Sequence, residues 1–421
     1  MNKDVIKQNT LKYMESEIKT VSNNFPYREA GSIDEINSIE YYIDIIDNFI
    51  DDKYIIKTPV VVQPRYYFGW AYFLAAFLIV ATAVYFITPV FSIFTTIIAV
   101  LPFIIEYIFN KPIFKHLYDP KESFNIATTY NSKNAPKKRV YIVSSSDSPH
   151  ERILEKLLSK KILRVIYIIS SIGMLYTLVL SIVASFYSSY GTPGTINNSP
   201  TVLLYLGIVQ FIFIPFYLCY FMLFDGSKIS PAVNRNLSST ALNIGILKYL
   251  KESNIVFDDT EIVSVIVTGK ECGNQGIQAF IKNNLSSVKN SNIKSIVINF
   301  ENLKDPKNLR LYKTDAFGFR KNDKSLIDNV VQSAKEIYHE IKIANNFLQP
   351  SNATEFSRKK IQATTIAGDG NNIPYTSQDN LENLDIDCLE KAFDITIQSI
   401  KDFANNWYLH FNLSIFSSFN I

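Results

Sequence analysis

The sequence predicts an α/β fold: a mixed, mostly parallel sheet with helices on both faces, plus four transmembrane α-helices inserted as two hairpins. Two observations predict it. The chain contains long runs almost free of charge, and outside them short β-branched runs alternate with helical patterns. A third, the placement of Lys and Arg around the apolar runs, sets the expected orientation in the membrane.

The chain has 421 residues, of which 47% are hydrophobic, 14% aromatic and only 19% charged, so its apolar mass needs an explanation. A net charge of +3 does not point to nucleic acid, which calls for a strongly basic face. Cys219, Cys272 and Cys388 are far apart and lack CxxC spacing, so neither a disulfide framework nor a structural zinc site is expected. The polar N-terminal segment has no short apolar core after a basic start, and no signal peptide is expected. Residues 1–66 read as helices, with Ser32 and Glu35 spaced as a capping box.

The first apolar run predicts helices over 67–87 and 90–109, broken at Thr88-Pro89 because proline disfavours helix in the residue before it. The second predicts helices over 165–187 and 201–224, joined by a Gly/Pro/Asn-rich turn. Neither hairpin turn carries Lys or Arg. The opposite flanks carry Arg65, Lys111, Lys115, Lys156, Lys160, Lys161, Arg164 and Lys228. The basic side is expected to be cytoplasmic, which makes this a multi-pass protein of the cell membrane with both termini and the soluble domain in the cytosol. Apart from Glu106 the spans hold no Asp, Glu, Lys, Arg or His, which argues against a transport pathway.

Strands are expected at 139–143, 262–268, 295–300 and 360–367, and helices at 239–252, 275–284, 324–347 and 381–404. The expected domain thus comprises 1–66, 110–164 and 225–421, interrupted by the hairpins at 67–109 and 165–224. In such sheets ligands bind beyond the carboxyl ends of the strands. That directs attention to 144–148, 269–273, Glu301 and 368–375.

Read in order, these segments resemble the di-zinc aminopeptidases, peptidase family M28. FPYREAGS at 25–32 followed by Glu35 is similar to the family's R-x-A-G-S-x-x-E opening. The strand ending in Ser145, Ser146, Asp147 and Ser148 resembles H-x-D-S, and NRNLSS at 234–239 resembles N-D-N-x-S-G. GKECGNQG at 269–276 resembles G-E-E-x-G-x-x-G, and Asn299, Phe300 and Glu301 resemble N-x-D. NATEFS at 352–357 resembles T-D-A-x-x-F, and YTSQDN at 375–380 with LEN at 381–383 resembles H-T-x-x-D-T followed by L-E-N. The resemblance covers most of the chain outside the membrane runs and implies a zinc-aminopeptidase-like fold.

Carried over residue by residue, the resemblance places the family's metal ligands at Ser145, Arg235, Glu271, Glu301 and Tyr375. Its general base falls at Lys270, and Asp147 keeps an orienting carboxylate. Zinc takes His, Cys or carboxylate donors, about three per catalytic ion. Only Glu271 and Glu301 qualify, and a guanidinium cannot become a ligand. Arg235 and Lys270 are therefore expected to stand in for the metals by neutralising Glu271 and Glu301 in a buried crevice. Metal at displaced ligands would need His150, Glu151, Asp369 or Cys272. Cys272 reads as a small buried thiol, and His116, His339 and His410 as isolated histidines.

No catalytic residue and no cofactor is expected. The reading is a membrane-anchored pseudoenzyme that binds a peptide or a membrane-protein partner and has the lipid bilayer as its other partner. Asp147, Arg235, Lys270, Glu271, Glu301 and Tyr375 would line the binding crevice. The alternative is an unusual zinc-dependent exopeptidase acting on short peptides. A third reading gives the work to the four helices, with the domain regulating them.

Overall fold

The computed structural model describes all residues except 1–2, 67–68, 110, 112, 189–199, 224–225, 316–319, 347–349, 369–374 and 406–421. The chain forms two compact units, each assembled from separated segments. One comprises Met1–Pro64, Pro120–Pro149 and Ile229–Ile421; the other comprises Arg65–Asp119 and His150–Lys228.

The first unit is built on a sheet of nine strands among the described residues. These are β1 (Ile55–Val62), β2 (Lys121–Tyr130), β3 (Lys138–Ser145), β4 (Thr260–Val267), β5 (Lys294–Leu303), β6 (Leu309–Asp315), β7 (Arg320–Lys321), β8 (Lys342–Asn345) and β9 (Gln362–Gly368). Their spatial order is β1-β2-β4-β3-β5-β9-β6-β7, with β8 beside β6. The central strands β4, β3, β5 and β9 run parallel. The β1–β2, β2–β4, β6–β9 and β6–β7 pairs are antiparallel.

The period of two along each strand sends alternate residues to opposite faces. Val140, Ile142, Ile296 and Ile298 pack against the helices Lys3–Asn24, Ser238–Glu252 and Ile386–Ala404. Tyr141, Val143, Val265 and Val297 face the other way, onto Ile277 and Phe280 of Gln275–Asn283 and Phe356 of Asn352–Arg358. Both faces are thus covered by helices, as such strands require.

Several expected boundaries change. The 1–66 segment is not all helix, since Ile55–Val62 forms an edge strand. Of the 110–164 segment only 120–149 belongs to the sheet unit, and it contributes β2 as well as β3. The helix expected over 324–347 stops at Glu336; Tyr338 takes a left-handed backbone (φ 60°) and the chain turns into β8. The last helix starts at Ile386, where Asp385 caps it by accepting from the Cys388 N–H; 381–383 is a single 3₁₀ turn. Ser32 caps the helix Ile33–Asp47 as expected, through the Glu35 N–H at 3.2 Å. The Glu35 side chain does not return to Ser32. It accepts from the Gly31 N–H and from Ser123 Oγ and Ser146 Oγ inside the domain.

The second unit is a helix bundle. Among the described residues three helices are long and apolar enough to cross a membrane: Pro89–Glu106, Lys161–Tyr187 and Thr201–Met222. The fourth expected span, Gly69–Val84, has 16 residues. Residues 67–68 before it lie outside the described residues, and the described part reaches about 24 Å at 1.5 Å per residue. The break at Thr88 is as expected: its backbone is extended and Pro89 starts the next helix. The Thr201–Met222 stretch tightens into 3₁₀ turns over Gln210–Phe213, just before Pro215, which has no N–H to give.

The bundle is apolar on its outer faces as well as inside. Its outer faces expose Phe91, Phe94, Ile172, Leu175, Ile208 and Ile212. Its interior combines buried apolar side chains such as Trp70, Leu74, Leu78 and Tyr217 with small and hydroxyl side chains. Ser92 Oγ donates to Ala81 O (2.8 Å), Ser181 Oγ donates to Ser92 Oγ (2.9 Å) and Tyr85 OH donates to Leu203 O (2.8 Å). Helices in lipid associate through close packing and such hydrogen bonds, because burial of apolar surface gains nothing there. Gly207 lets its helix approach the Tyr85 ring, and any Cβ at Gly207 would overlap that ring. Gly207→Leu is expected to cost about 1–3 kcal/mol, the usual range for overpacking. A fall in the thermal midpoint of the purified protein reads this out; Ala substituted at the outward-facing Ile208 is the control that should leave it nearly unchanged.

Candidate functional site

The parallel order β4-β3-β5-β9 brings four carboxyl ends side by side, and the motif residues project from them. Ser145 ends β3, Glu301 lies near the end of β5, and Tyr375 follows β9. Lys270 and Glu271 sit in the turn after β4, where Gly269 (φ 62°) and Gly273 (φ 81°) take the left-handed backbone that glycine tolerates. At Gly269 a Cβ would also meet Val62 Cγ1 at 2.8 Å. Arg235 belongs to a wide π turn, Val233–Leu237, that opens the helix Ser238–Glu252. The residue before it, Ala232, is buried and left-handed (φ 54°), a conformation non-glycine residues seldom take. Asp379 holds the turn by accepting from the backbone N–H of Asn234 (2.7 Å) and of Arg235 (3.1 Å).

At the centre is a buried ion-pair network. Arg235 meets Glu271 in a two-pronged contact, Nε to Oε1 at 2.7 Å and Nη2 to Oε2 at 3.3 Å. Its guanidinium carbon lies 4.0 Å from the centre of the Tyr375 ring. Asn236 Nδ2 donates to the same Glu271 Oε1 at 3.0 Å. Lys270, 0% exposed, places Nζ 3.2 Å from Glu301 Oε2 and 3.5 Å from Glu271 Oε1. Neither approach has hydrogen-bond geometry, so charge rather than a directed bond holds the ammonium.

Burial opposes the charge on Arg235, but Glu271, Tyr375 and Glu301 outweigh it and lift its pKa well above the ordinary value. Burial likewise works against ionised Glu271; Arg235 and Lys270 overcome it and hold that carboxyl well below the carboxylate range. Burial keeps Glu301 above its ordinary value, with Lys270 and Arg235 pulling the other way.

A second layer fixes this centre. The Asp147 carboxylate accepts from the backbone N–H of Lys270 (3.1 Å) and of Glu271 (2.8 Å). Burial, with Glu271 and Glu35 adding to it, pushes its pKa up. Burial also pushes Asp379 up, to about 6, against the pull of its bonds from Asn234 and Arg235. Ser145 is linked to Glu301 through two asparagines. Asn352 Nδ2 donates to Ser145 Oγ (2.9 Å) and Asn299 Oδ1 (3.2 Å), and Asn299 Nδ2 donates to Glu301 Oε1 (3.1 Å).

The structure thus brings Arg235, Lys270, Glu271, Glu301 and Tyr375 together, with Asp147 directly behind them and Ser145 tied in through Asn352 and Asn299. The roles of Asn299, Asn352 and Asp379 are not singled out by the sequence reading. Asn299 carries a usable signal, since it stands two positions before Glu301 and so on the same face of β5. Asn352 carries none before the fold is known. Of the residues named for displaced metal binding, His150 and Glu151 fall in the helix-bundle unit, and Asp369 lies outside the described residues, as does the lone His410. His116 is exposed, and His339 Nε2 lies 3.2 Å from Asp394 Oδ2. Cys272 is buried; burial, with Asp147 and Glu35 adding to it, pushes its thiol pKa well up. It would hold no thiolate near neutral pH.

Residues 224–400 match the family model described as peptidase family M28. No curated protein matches the sequence. Solved structures match the fold. A glutaminyl cyclase from an Acidobacteriales bacterium has a TM-score of 0.54 at 12% identity, covering 94% of this chain and 95% of its own. BSAP, a zinc aminopeptidase from Bacillus subtilis, gives 0.53 at 12% identity, with 94% and 95% covered. A Zn-dependent exopeptidase from Parabacteroides distasonis gives 0.51 at 11% identity, with 93% and 97% covered. The fold of the chain is therefore that of the zinc aminopeptidases and glutaminyl cyclases, and the M28 match falls on the segment that carries all but Ser145 and Asp147 of the crevice residues.

The side chains here do not fit a zinc centre. Both Glu271 oxygens already accept from Arg235, and the Lys270 ammonium lies beside both carboxylates. Among the described residues no group of three or more His, Cys, Asp or Glu is arranged to hold a metal ion. A divalent ion would have to displace two buried cations that cannot leave the chain.

Removing one partner of a buried ion pair strands the other charge, at a cost of about 3–5 kcal/mol, whereas replacing both with apolar groups is often close to neutral. Arg235→Met is expected to destabilise the protein by that amount in denaturant unfolding, and Arg235→Met with Glu271→Met to recover most of the loss. Cys272 is expected to resist iodoacetamide at neutral pH in the folded protein and to react once unfolded, as followed by mass spectrometry.

Proposed function

We propose that this protein is a membrane-anchored, non-catalytic relative of the zinc aminopeptidases that holds a peptide or protein partner instead of cleaving one. One observation carries the reading: the positions that resemble metal-ligand and general-base positions are occupied by a closed Arg235–Glu271 and Lys270–Glu301 network. Such a network gives a hydrolytic water neither a metal nor a free base. It does keep the turns around the crevice ordered, which suits recognition of a fixed shape.

The three apolar helices support membrane association. On this reading Gly69–Val84 is the fourth crossing. It packs on Pro89–Pro102 through the Ser92–Ala81 contact, and a span of this length is accommodated by modest local thinning of the bilayer. Four crossings return the chain to the side on which it entered, and the surrounding Lys and Arg assign that side to the cytoplasm.

The test is metal content together with activity. The full chain, purified in mild detergent, is dialysed against zinc, manganese or cobalt and measured for bound metal and for hydrolysis of short peptides. Metal far below one ion per chain and no hydrolysis are expected. Stoichiometric metal retained after dialysis, with chelator-sensitive hydrolysis, would replace this reading with that of an unusual exopeptidase.

A further inference from the structure

Every charged residue of the helix-bundle unit lies at 65, 106–119, 150–164 or 225–228, all at the helix ends away from the two hairpin turns. That end is chemically distinct in three ways. It has an aromatic layer: the Trp70 ring lies 5.2 Å from Phe103 and 6.4 Å from Tyr220, and Tyr72 stacks on Phe221 at 5.9 Å. Trp70 and Tyr220 are buried in this layer, which packs that end of the bundle together.

It also carries two short helical turns too brief to cross anything, Phe114–Leu117 and Ile153–Leu157. Each presents a bare leucine beside lysine. Leu117 is 77% exposed next to Lys115 and His116, and Leu157 is 66% exposed next to Lys156. The first turn is fixed in place. Glu106 Oε1, at the end of its span, accepts from the N–H of both Ile113 and Phe114 at 2.6 Å, and the Phe114 ring packs 5.1 Å from Phe73.

Finally, this end carries lysines without acidic partners; of its acids, Glu106 and Glu151 are engaged within the unit and Asp119 is exposed. Glu106 faces the turn it holds, and Glu151 lies 3.7 Å from Lys156. Lys111, Lys161 and Lys228 are exposed, and Lys115 is half-buried; none of these four has an acidic partner among the described residues.

We propose that this end of the bundle is a binding collar for anionic phospholipid: Lys111, Lys115 and Lys161 take the headgroup phosphate while Leu117 and Leu157 enter the acyl boundary. The pairing of a bare leucine with lysine on a pinned turn fits an interface that is apolar on one side and anionic on the other. Water alone would not reward the leucines, and a soluble anion would not need them. The collar rests on the membrane-spanning reading above.

The test uses the full chain. Native mass spectrometry counts phosphatidylglycerol and phosphatidylcholine retained from equimolar mixed micelles. The thermal midpoint is read with each lipid and with soluble glycerol phosphate. Preferential retention of phosphatidylglycerol, and stabilisation by it alone, are expected. Lys111→Gln/Lys115→Gln/Lys161→Gln should lower phosphatidylglycerol affinity roughly 100-fold at low salt, from about fivefold per lysine. Leu117→Ser/Leu157→Ser should weaken it without altering the salt dependence. Equal retention of both lipids, an unaffected triple variant, or equal stabilisation by glycerol phosphate would overturn the collar. Carbonate extraction from native membranes separates the two readings. A chain released by carbonate defeats the spanning reading, whereas a chain that resists carbonate but shows no lipid preference defeats only the collar.

Discussion

The contact between Arg235 and Glu271 is the constraint around which the crevice is organised. Each partner is fixed at its backbone by a different carboxylate: Asp379 takes the Arg235 N–H and Asp147 takes the Glu271 N–H. One side-chain contact therefore joins the π turn before the long helix, the turn after β4, the end of β3 and the loop after β9. In a low-dielectric interior none of these charges is tolerable alone. The stability of each turn depends on the presence of the others, and the left-handed Ala232 persists because its neighbours are held on both sides. A metal centre would organise the same turns by coordination. Here the chain supplies its own cations, Arg235 and Lys270, beside Glu271 and Glu301.

The two units solve opposite problems with the same chemistry. In the sheet unit, hydroxyls and amides such as Asn125 and Ser123 are buried under apolar helices and satisfied by specific partners. In the bundle, hydroxyls such as Ser92 and Ser181 sit inside while isoleucine and phenylalanine face outward. Which way a side chain points is set by the surroundings it must face, and the outward apolar surface of the bundle is of the kind that marks a membrane or partner interface.

The central strands were legible because parallel strands buried on both faces read as β-branched runs, as at 139–143 and 295–300. The crevice residues were legible because ligand positions fall at strand ends and the ordered motifs located those ends. The flanking strands were hidden. In β2 the buried positions include Ser123, Asn125 and Thr128, so no apolar pattern marks it, and β1 contains Pro59, which a strand tolerates only at an edge. The break between the first two apolar helices was legible from Thr88-Pro89, although the first helix ends at Val84, a few residues before it. The asparagine links between Ser145 and Glu301 needed three separate segments to meet, which only the folded chain defines.

The division of the chain into interleaved segments has a consequence for how it is made. Strand β3 is synthesised between the two apolar hairpins, yet both its sheet neighbours, β4 and β5, come after the second hairpin. During synthesis the middle strand of the sheet waits unpaired while roughly a hundred residues, the second hairpin among them, emerge behind it. Closure of the sheet must then follow synthesis of that hairpin, and the crevice, built from turns on both sides of the interval, is among the last parts of the molecule to exist.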